Sequence, residues 1–415
     1  MKILKLVNDL GYGGTQRCAQ NYALGLNHRG HDVSVLAYAE LGSRAAILKK
    51  EGIPVSLLTN AQEINSRTFE TPDIIHIHRE GLYNKYTTEL LVTLRNRFPR
   101  TAIVETNVFS RVDWFLPEGV VDVHFQLSDW CLMKYLKWAR GMAYNPAAMV
   151  VPYLVDDKKF VRPSEAAIDA FLQKNNIPNG AIVFGRIGQP IESKWSTCII
   201  DGFCQAQIEN SFLILVSAPT SHIEKVKTLP QKIRDRIRLV DFIKSDSELK
   251  SAYSSFNFFV HAALIGESFG MVLAESILCE TPIITLSTPL KDNTQSFLIP
   301  ECSSGYVVKS TSDLVAAMKD AVNCSRRWKI KILKARECLV NRYGIESVMS
   351  RLELGYQRAL ELRNGKHCDW TNEYSIAEKR VKAELKKYGF STRMKFAAIH
   401  NPWIYKLYQS YRRRI

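Results

Sequence analysis

Short apolar runs recur along most of this chain and are separated by longer stretches of mixed polarity. In the first part of the chain, runs typical of buried strands lie at 3–7, 32–37, 53–57, 74–77 and 102–105. In the second part they lie at 181–188, 212–216, 237–243, 256–260, 282–285 and 303–308. Helical patterns lie between several of them, for example at 85–97. Strands alternating with helices favour parallel sheets with crossover helices.

The length of 415 residues indicates more than one domain, because a single core rarely grows so large. A run with a proline, at 150–156, looks like the closing strand of a first domain. Pro163, Pro178 and Gly180 then supply breakers, which predict an interdomain hinge at about 155–180.

The stretch 256–285 reads as a strand, a tight loop, a helix and the next strand. The loop and helix start run through Gly266, Glu267, Ser268, Phe269, Gly270 and Met271. Glycines allow a sharp bend and a close approach of the backbone to a ligand. Glu275 is predicted about one turn inside the helix.

Glu267 and Glu275 both face one ligand if the loop and the helix are arranged as predicted. Ionised carboxylates only accept hydrogen bonds, which suits the hydroxyls of a sugar or a ribose. The amides at the helix start favour a phosphate. The alternative is a helix with two solvated glutamates, and the spacing alone does not decide between these interpretations.

The block from Glu267 to Glu275 resembles the paired-glutamate motif of family 4 retaining glycosyltransferases. That resemblance implies the GT-B fold, an α/β architecture of two Rossmann-like domains facing across a cleft. It implies that Glu267 contacts the donor sugar and that Glu275 holds the nucleotide ribose. Other residues assigned to the donor by the resemblance are Ser268, Phe269, Gly270 and Met271.

Two cations extend the donor-side prediction. Arg186 ends a strand, and Lys194 follows eight positions later before a helix, an arrangement that suits a diphosphate. The family has an equivalent arginine and lysine, although the insert before Lys194 is longer than usual. Two surface cations are the alternative. Arg186 and Lys194 form the predicted catalytic set together with Glu267. Phe242 lies where relatives hold the nucleobase through backbone contacts.

The glycine-rich segment 11–14 follows the first strand and precedes a helix. Its amides either approach a phosphate or sugar or simply make a structural turn. It resembles the first loop of the family, which assigns Gly13, Gly14 and Arg17 to the acceptor side or loop. Gln16 replaces the usual acidic residue, and its role stays open.

Polar residues also lie at the predicted carboxyl ends of strands, where ligands of such sheets bind. His76 and His78 each serve either a ligand or a buried polar network. By the resemblance, His78 and Asn107 belong to the acceptor side, and Asn107 lies where many relatives place a histidine. It can hydrogen-bond a hydroxyl, but it cannot act as an acid or a base.

Nine cysteines are scattered without paired metal-type spacing, so no metal site is predicted. Unpaired cysteines suit a reducing compartment. No apolar run approaches the roughly 18 residues that a membrane-spanning helix needs, and the amino terminus turns polar too early for a signal peptide. We expect a cytoplasmic protein, with association to the inner face of the cell membrane as a further option.

The net charge of +15 is concentrated at the carboxyl end, where residues 366–415 hold twelve Lys or Arg against four Asp or Glu. The basic positions include Lys379, Arg380, Lys382, Lys386, Lys387, Arg412, Arg413 and Arg414, and aromatics among them are Phe396, Trp403, Tyr405, Tyr408 and Tyr411. This composition suits an anionic membrane surface. A packed helical extension and a disordered arm are the alternatives, and no motif supports nucleic acid binding.

The predicted organisation is an acceptor-binding domain at 1–165, a nucleotide-sugar domain at 166–345, a returning helix at 346–365 and a basic tail at 366–415. The predicted function is a retaining transfer of a sugar from a nucleotide diphosphate sugar to a hydroxyl acceptor. By resemblance, the acceptor is a saccharide or lipid-linked saccharide in surface polysaccharide or glycolipid assembly. No cofactor is expected beyond the nucleotide sugar as co-substrate. The alternatives are a non-catalytic nucleotide- or sugar-binding protein and a phosphorylase or epimerase of the same fold.

Overall fold

Two parallel sheets, each with the strand order of a doubly wound α/β fold, organise the computed structural model. It describes residues 1–61, 63–66 and 70–414. Clustering of contacts divides the chain into two compact units, Met1–Leu154 with the chain from Ile345 onward, and Val155–Gly344.

The first unit contains a seven-stranded sheet in the order β3-β2-β1-β4-β5-β6-β7. Its strands are β1 (Lys2–Asp9), β2 (Asp32–Glu40), β3 (Val55–Leu57), β4 (Ile74–Arg79), β5 (Ala102–Asn107), β6 (Val123–Gln126) and β7 (Ala148–Val150). The helices between them are α1 (Gly14–His28), α2 (Arg44–Lys50), α3 (Glu63–Ser66), α4 (Lys85–Arg97) and α5 (Asp129–Ala139). All paired strands run parallel.

The second unit repeats this order in a six-stranded parallel sheet, β10-β9-β8-β11-β13-β15. Its strands are β8 (Ile182–Ile187), β9 (Ser211–Val216), β10 (Ile237–Val240), β11 (Phe258–His261), β13 (Ile283–Leu286) and β15 (Gly305–Val308), and the short pair β12 (Gly266–Glu267) and β14 (Asp292–Asn293) lies outside the sheet. The helices are α6 (Glu165–Lys174), α7 (Cys198–Ala206), α8 (Thr220–Lys227), α9 (Gln231–Arg234), α10 (Asp246–Ser255), α11 (Met271–Leu278), α12 (Gln295–Cys302), α13 (Thr311–Asn323) and α14 (Ser325–Tyr343), with a 3-10 turn at Glu192–Lys194.

The central strands are apolar without alternation because helices cover both faces of each sheet. Strands β4, β5 and β9 are buried at every position. Several helices begin at a serine or asparagine whose side chain accepts from an amide of the first turn, as Asn84 does from Thr87 N at 3.0 Å. The cap of α13 is Ser310, which accepts from Asp313 N at 3.1 Å.

The division between the units falls at Leu154/Val155 instead of the predicted 165/166. Val155 N donates to Tyr343 O at 3.0 Å, which ties this segment to the end of α14. Phe160 is fully buried, so the segment around it also contributes to a core. The boundary lies at the start of the predicted hinge at 155–180, and the breakers Pro163, Pro178 and Gly180 follow it.

The chain returns to the first unit at Ile345 and ends there in four helices. These are α15 (Ile345–Arg363), α16 (Thr371–Leu385), α17 (Phe390–Ile399) and α18 (Pro402–Arg414). The basic tail predicted at 366–415 is thus a packed helical extension over the residues that the structure describes, and a disordered arm is wrong there. The side chains of Arg412, Arg413 and Arg414 lie outside the described residues. Within the described ranges, no helix has both the length and the apolar character to cross a bilayer.

Helix α16 covers the outer edge of the first sheet. The amides of Ala148 and Val150 in the edge strand β7 donate to Tyr374 OH at 3.1 Å and to Glu373 Oε1 at 2.8 Å. Two side chains of α16 therefore satisfy backbone donors that a further strand would otherwise take. Glu373 also pairs with Arg351 of α15.

Substitution of Gly266 tests how closely the loop between β11 and α11 packs against the backbone of Asp292. The φ of Gly266 is +73°, and a Cβ there would lie 1.7 Å from Asp292 O. Gly180 has the same kind of conformation, φ +74°, but no atom within 4 Å of a Cβ. In urea unfolding of the second unit, we expect Gly180→Ala to cost about 1–2 kcal/mol from left-handed strain. Gly266→Ala should cost a further ~1–3 kcal/mol from overpacking, and equal losses would contradict this account.

Candidate active site

The loop that carries Glu267 is fixed by backbone pairing. Strand β12 pairs with β14, and Gly266 lies opposite Asp292 in this pair. Thr294 N donates to Glu267 O at 3.0 Å, and Thr294 Oγ1 donates to Ser268 O at 2.7 Å. Ser268 Oγ also donates to the carboxylate of Asp292. The predicted bend is present, and Glu267 stands on a rigid support.

A chain of hydrogen bonds reaches the Glu267 carboxylate from within the sheet. His261, the last residue of β11, has Nε2 2.9 Å from Glu267 Oε1 and Nδ1 3.0 Å from Thr285 Oγ1. His261 and Thr285 are partners in the register of β11 and β13. With an ionised carboxylate on one side, a neutral His261 donates from Nε2 and accepts from the Thr285 hydroxyl at Nδ1.

The protonation states in this chain have separate causes. Burial raises the pKa of Glu267, but the hydrogen bond from His261 and the charges of Arg186 and Lys194 outweigh it and lower the pKa below its ordinary value. Burial, aided by the charge of Arg186, lowers the pKa of His261. Glu267 is therefore an anion beside a neutral histidine.

Arg186 lies at the carboxyl end of β8, and only 1% of it is exposed. Its Nη1 donates to Ile187 O at 2.9 Å and its Nη2 to Lys194 O at 2.8 Å. The guanidinium carbon lies 5.0 Å from the centre of the Trp195 ring. Burial lowers the pKa of Arg186 to about 10, and the charge of Glu267 opposes this effect. Arg186 therefore shapes the loop that carries Lys194 and remains a cation.

Lys194 ends the 3-10 turn, and its ammonium donates to Gln189 Oε1. Burial lowers the pKa of Lys194, with Glu267 opposing and Arg186 adding to the effect. The long insert is folded, because Trp195 Nε1 donates to Gln189 O at 2.8 Å. Ile265 N donates to Ser193 O at 2.9 Å, which joins this loop to the one that carries Glu267. The structure thus brings the three predicted catalytic residues into one region.

Glu275 lies inside α11, as predicted, and is largely buried. Tyr253 OH donates to its Oε2 at 3.0 Å, which orients the carboxylate. Burial and the charge of Glu275 raise the pKa of Tyr253 well above its ordinary value, so the phenol keeps its proton. This hydrogen bond fixes the direction in which the carboxylate can accept from a ligand.

The start of α11 combines an unusual backbone with a buried anchor. Gly270 precedes the helix with φ +93°, and Met271 begins it. The Phe269 ring is buried, with its centre 5.4 Å from that of Tyr343. The Phe269 side chain therefore fixes the loop in the core, and donor contacts of Phe269, Gly270 and Met271 stay predictions. Phe242, assigned to the nucleobase from the sequence, follows β10 and is 43% exposed.

In the first unit, the glycine-rich loop precedes α1. Gly13 is the cap residue, Gly14 is the first helical residue, and Arg17 N donates to Gly13 O at 2.9 Å. Gln16 Nε2 donates to Asp9 Oδ2 at 2.9 Å. The sequence left the role of Gln16 open. In the structure, its hydrogen bond to Asp9 holds the loop against the end of β1. Ligand roles for Gly13, Gly14 and Arg17 stay predictions.

His76 and His78 belong to a buried cluster around Lys5. Lys5 Nζ lies 3.1 Å from His76 Nδ1 and 3.3 Å from His78 Nε2. Burial lowers the pKa of Lys5 to about 7 and lowers the pKa of both histidines well below their ordinary value. The sequence left open whether these histidines contact a ligand or belong to a buried polar network. In this structure both belong to a buried polar network.

Asn107 is used within its own loop. Its Nδ2 donates to Arg111 O at 2.6 Å, and its Oδ1 accepts from Arg111 N at 3.1 Å. The residue is almost completely buried, and a Cβ on Gly81 would collide with its amide. These contacts give Asn107 a structural task and do not support the predicted acceptor-side role.

Sequence reasoning missed His261, Thr285, Tyr253 and Asp292. A signal existed for His261, because it is polar, ends a strand and precedes Glu267 by six positions. Thr285 and Tyr253 could not be found in this way. Their roles depend on strand register and on the distance between helices α10 and α11, which a pattern of polarity does not encode.

The comparisons with known proteins agree with this arrangement. Residues 179–335 match the family model described as glycosyl transferases group 1. A comparison of the sequence with curated proteins gave no match. The matched region contains all the predicted donor-side residues, and the resemblance to group 1 glycosyltransferases is confirmed.

Solved structures match over most of the chain. HepE from Anabaena, in complex with UDP, is 18% identical with a TM-score of 0.65, covering 86% of this chain and 100% of HepE. A glycosyltransferase from Rickettsia africae is 12% identical with a TM-score of 0.70, covering 87% of this chain and 99% of the other. WaaG, a glycosyltransferase involved in lipopolysaccharide biosynthesis, is 16% identical with a TM-score of 0.57, covering 88% and 100%.

These likenesses define the class of the fold. The chain has the GT-B fold predicted from the sequence, with two Rossmann-like sheets and additional C-terminal helices. Its second unit carries the match to glycosyl transferases group 1. Membership of family 4 in particular stays a prediction.

The hydrogen bond from His261 can be tested through the pKa of Glu267. We expect His261→Phe to raise this pKa, because the hydrogen bond that it removes stabilises the charged form of the carboxylate. The measurement is a carbon NMR titration of labelled glutamate, with the Glu267 signal assigned from Glu267→Gln.

His261→Gln is the matched control, because its side-chain amide keeps a donor near Glu267. It should return the pKa toward the wild-type value. An unchanged pKa in His261→Phe would show that the cations alone keep Glu267 ionised.

Proposed function

We propose that this protein is a glycosyltransferase that moves a sugar from a nucleotide diphosphate sugar to a hydroxyl acceptor. The observation that carries the proposal is the joining of the Glu267 loop to the loop of Arg186 and Lys194, with Glu275 on the next helix. An acceptor-only carboxylate suits the hydroxyls of a sugar, and cations suit a diphosphate. The group 1 match over this region supports the same function.

The proposed donor contacts follow from the orientation of each side chain. Glu275, oriented by Tyr253, accepts hydrogen bonds from the ribose hydroxyls. Glu267, fixed by His261 at Oε1, accepts from hydroxyls of the donor sugar through Oε2. Lys194 and the amino end of α11 bind the diphosphate. The nucleotide sugar is a co-substrate, and we propose no cofactor besides it.

The proposed chemistry retains the configuration at the anomeric carbon through substitution on one face. The bond from this carbon to the diphosphate oxygen breaks while the bond to the acceptor oxygen forms, and the departing phosphate accepts the acceptor's proton. Cations beside the phosphate stabilise the charge that develops on it. Glu267 is unsuited to act as a nucleophile, because its lowered pKa and its bond to His261 reduce its basicity.

The contacts in the first unit favour a mechanism that does not need a base there. His76 and His78 belong to the cluster around Lys5, and Asn107 is bonded to Arg111. The leaving phosphate can serve as the base instead. The engagement of His76, His78 and Asn107 in contacts of their own unit also suits a second candidate, a protein that binds nucleotide sugars without turnover. A phosphorylase or epimerase has no comparable support from these residues.

A saccharide or lipid-linked saccharide is the acceptor class that we propose, in surface polysaccharide or glycolipid assembly. WaaG, a glycosyltransferase involved in lipopolysaccharide biosynthesis, supports this choice of acceptor class. HepE, crystallised with UDP and with UDP-glucose, supports the class of donor. The assignment of the first unit to the acceptor stays a prediction.

Nucleotide binding tests the donor site directly. We expect calorimetry with UDP, GDP and ADP to detect one preferred base. Glu275→Ala should weaken its binding by about 1–3 kcal/mol, because a charged hydrogen-bond partner of the ribose is lost. Tyr253→Phe should have a smaller effect, about 0.5–1.5 kcal/mol, through loss of orientation.

The control for this experiment is Glu337→Ala, which removes an exposed glutamate from α14 of the same unit. It should leave nucleotide affinity unchanged. If none of the three nucleotides bound to the wild-type protein, the proposed function would be overturned. Binding without donor breakdown across a broad panel of acceptors would favour the non-catalytic alternative.

The stereochemical outcome is a separate prediction. With a nucleotide sugar of the preferred base and an accepted hydroxyl compound, proton NMR of the first product should show the anomeric configuration of the donor. The reason is the attack and departure on the same face. A product of inverted configuration would contradict substitution on one face, but it would leave the proposed transferase function intact.

A further inference from the structure

Helices α17 and α18 are anchored to the first unit by one aromatic face. The rings of Trp138 and Tyr405 stack at 4.4 Å between centres, and Trp138 also stacks on His400 at 5.0 Å. Tyr405 OH accepts from Val112 N at 2.9 Å, and Trp138 Nε1 donates to Ile399 O at 3.1 Å. The two helices therefore have a defined inner face.

Their outer face is apolar and exposed to solvent. In α18, Trp403 is 64% exposed, Leu407 74% and Tyr411 65%, and their spacing of four residues places them in one row. Ile404 and Tyr408 extend this row on one side and are also exposed. The buried residues Tyr405 and Gln409 lie nearly opposite. An α-helix of this kind normally turns its apolar side to the core, so a second partner is implied here.

Helix α17 continues the same kind of surface. Phe390 is 70% exposed and Met394 is 54% exposed, one turn apart, whereas Phe396 is buried against the Trp130 ring. The name outer face is used here for the exposed apolar side chains Phe390, Met394, Trp403, Ile404, Leu407, Tyr408 and Tyr411, and Ile399 at the end of α17 is also 43% exposed.

Positive charge accompanies the outer face. Arg393 and Lys395 are exposed on α17, and Lys406 is exposed on α18 with its ammonium 5.7 Å from the centre of the Trp403 ring. Neither α17 nor α18 contains an aspartate or a glutamate. Apolar and aromatic side chains on two helices whose charged residues are all cations match a surface that is apolar beneath an anionic layer.

We propose that the outer face docks the protein onto an anionic lipid bilayer, with α17 and α18 lying in the plane of the interface. Trp and Tyr rings favour the level of the lipid headgroups, and leucine and phenylalanine side chains reach the acyl boundary. The cations interact with anionic headgroups. The anchored inner face keeps the helices oriented, so little ordering is needed on binding. The proposal is independent of the function of the donor site.

Charge distribution favours lipid over the other partners of such a face. Packing a second copy against it would bring the cations of two copies together, which opposes a symmetric dimer. A nucleic acid would use the cations, but it would leave Leu407 and Phe390 without a partner. A bilayer with anionic headgroups satisfies both parts of the surface.

Flotation of the full-length protein with vesicles tests the proposal. We expect binding to vesicles of phosphatidylcholine with phosphatidylglycerol at least about tenfold tighter than to phosphatidylcholine alone, and weaker binding at high salt, because screening shortens the reach of the cations. Trp403→Ser with Leu407→Ser should reduce binding about tenfold or more. Arg393→Glu with Lys395→Glu should remove the preference for the anionic lipid.

Ile330→Ser with Leu333→Ser is the matched control, since it removes two exposed apolar residues from α14 of the other unit. It should leave vesicle binding unchanged. Circular dichroism melting of each variant checks that it remains folded. The proposal is overturned if the protein binds vesicles with and without phosphatidylglycerol equally well. It is also overturned if Trp403→Ser with Leu407→Ser binds vesicles as the wild type does, or if light scattering shows that the outer face joins two copies.

Discussion

A neutral histidine beside an ionised carboxylate is the interaction on which the second unit's candidate site depends. His261 is buried and close to Arg186, so a charge on it is unfavourable, and it donates to Glu267 as a neutral ring. Thr285 selects which ring nitrogen carries the proton. The orientation of the ring that donates to Glu267 is therefore set by the register of two neighbouring strands. Any change that shifts β11 against β13 would alter the chemistry of a loop that neither strand contains.

Buried polar groups in the first unit behave differently. Lys5 lies in β1, and His76 and His78 lie in β4. All three side chains are buried, so their charged forms are unfavourable. Arg79 instead lies between Glu105 and Asp113, which compensate its charge. The two sheets share one strand order, but their polar residues serve different purposes. The first set stabilises the buried strands of its unit, and the second surrounds the loop that carries Glu267.

Local patterns predicted the strand–loop–helix around Glu267 and Glu275 and the alternation that gives both sheets. The two glycines, their spacing and the apolar runs are properties of short segments, which is why they can be recognised. The tasks of Asn107 and Phe269 were not predictable, because they depend on what lies across the loop: the backbone of Arg111 and the ring of Tyr343. Breakers mark turns and so indicated a hinge at about 155–180, whereas the exact place where the first unit ends depends on the bond of Val155 to Tyr343, far away in the sequence.

The cover that α16 provides for β7 affects how far the chain can be shortened. An uncovered edge strand offers its amides to any passing strand, and natural proteins avoid such edges because they promote aggregation. Glu373 and Tyr374 occupy the two outward amides of β7 and thereby end the sheet. The C-terminal extension, which the sequence predicted as a basic tail, therefore borders the sheet of the first unit. A protein cut after α15 would retain its seven strands and gain a surface on which chains could join.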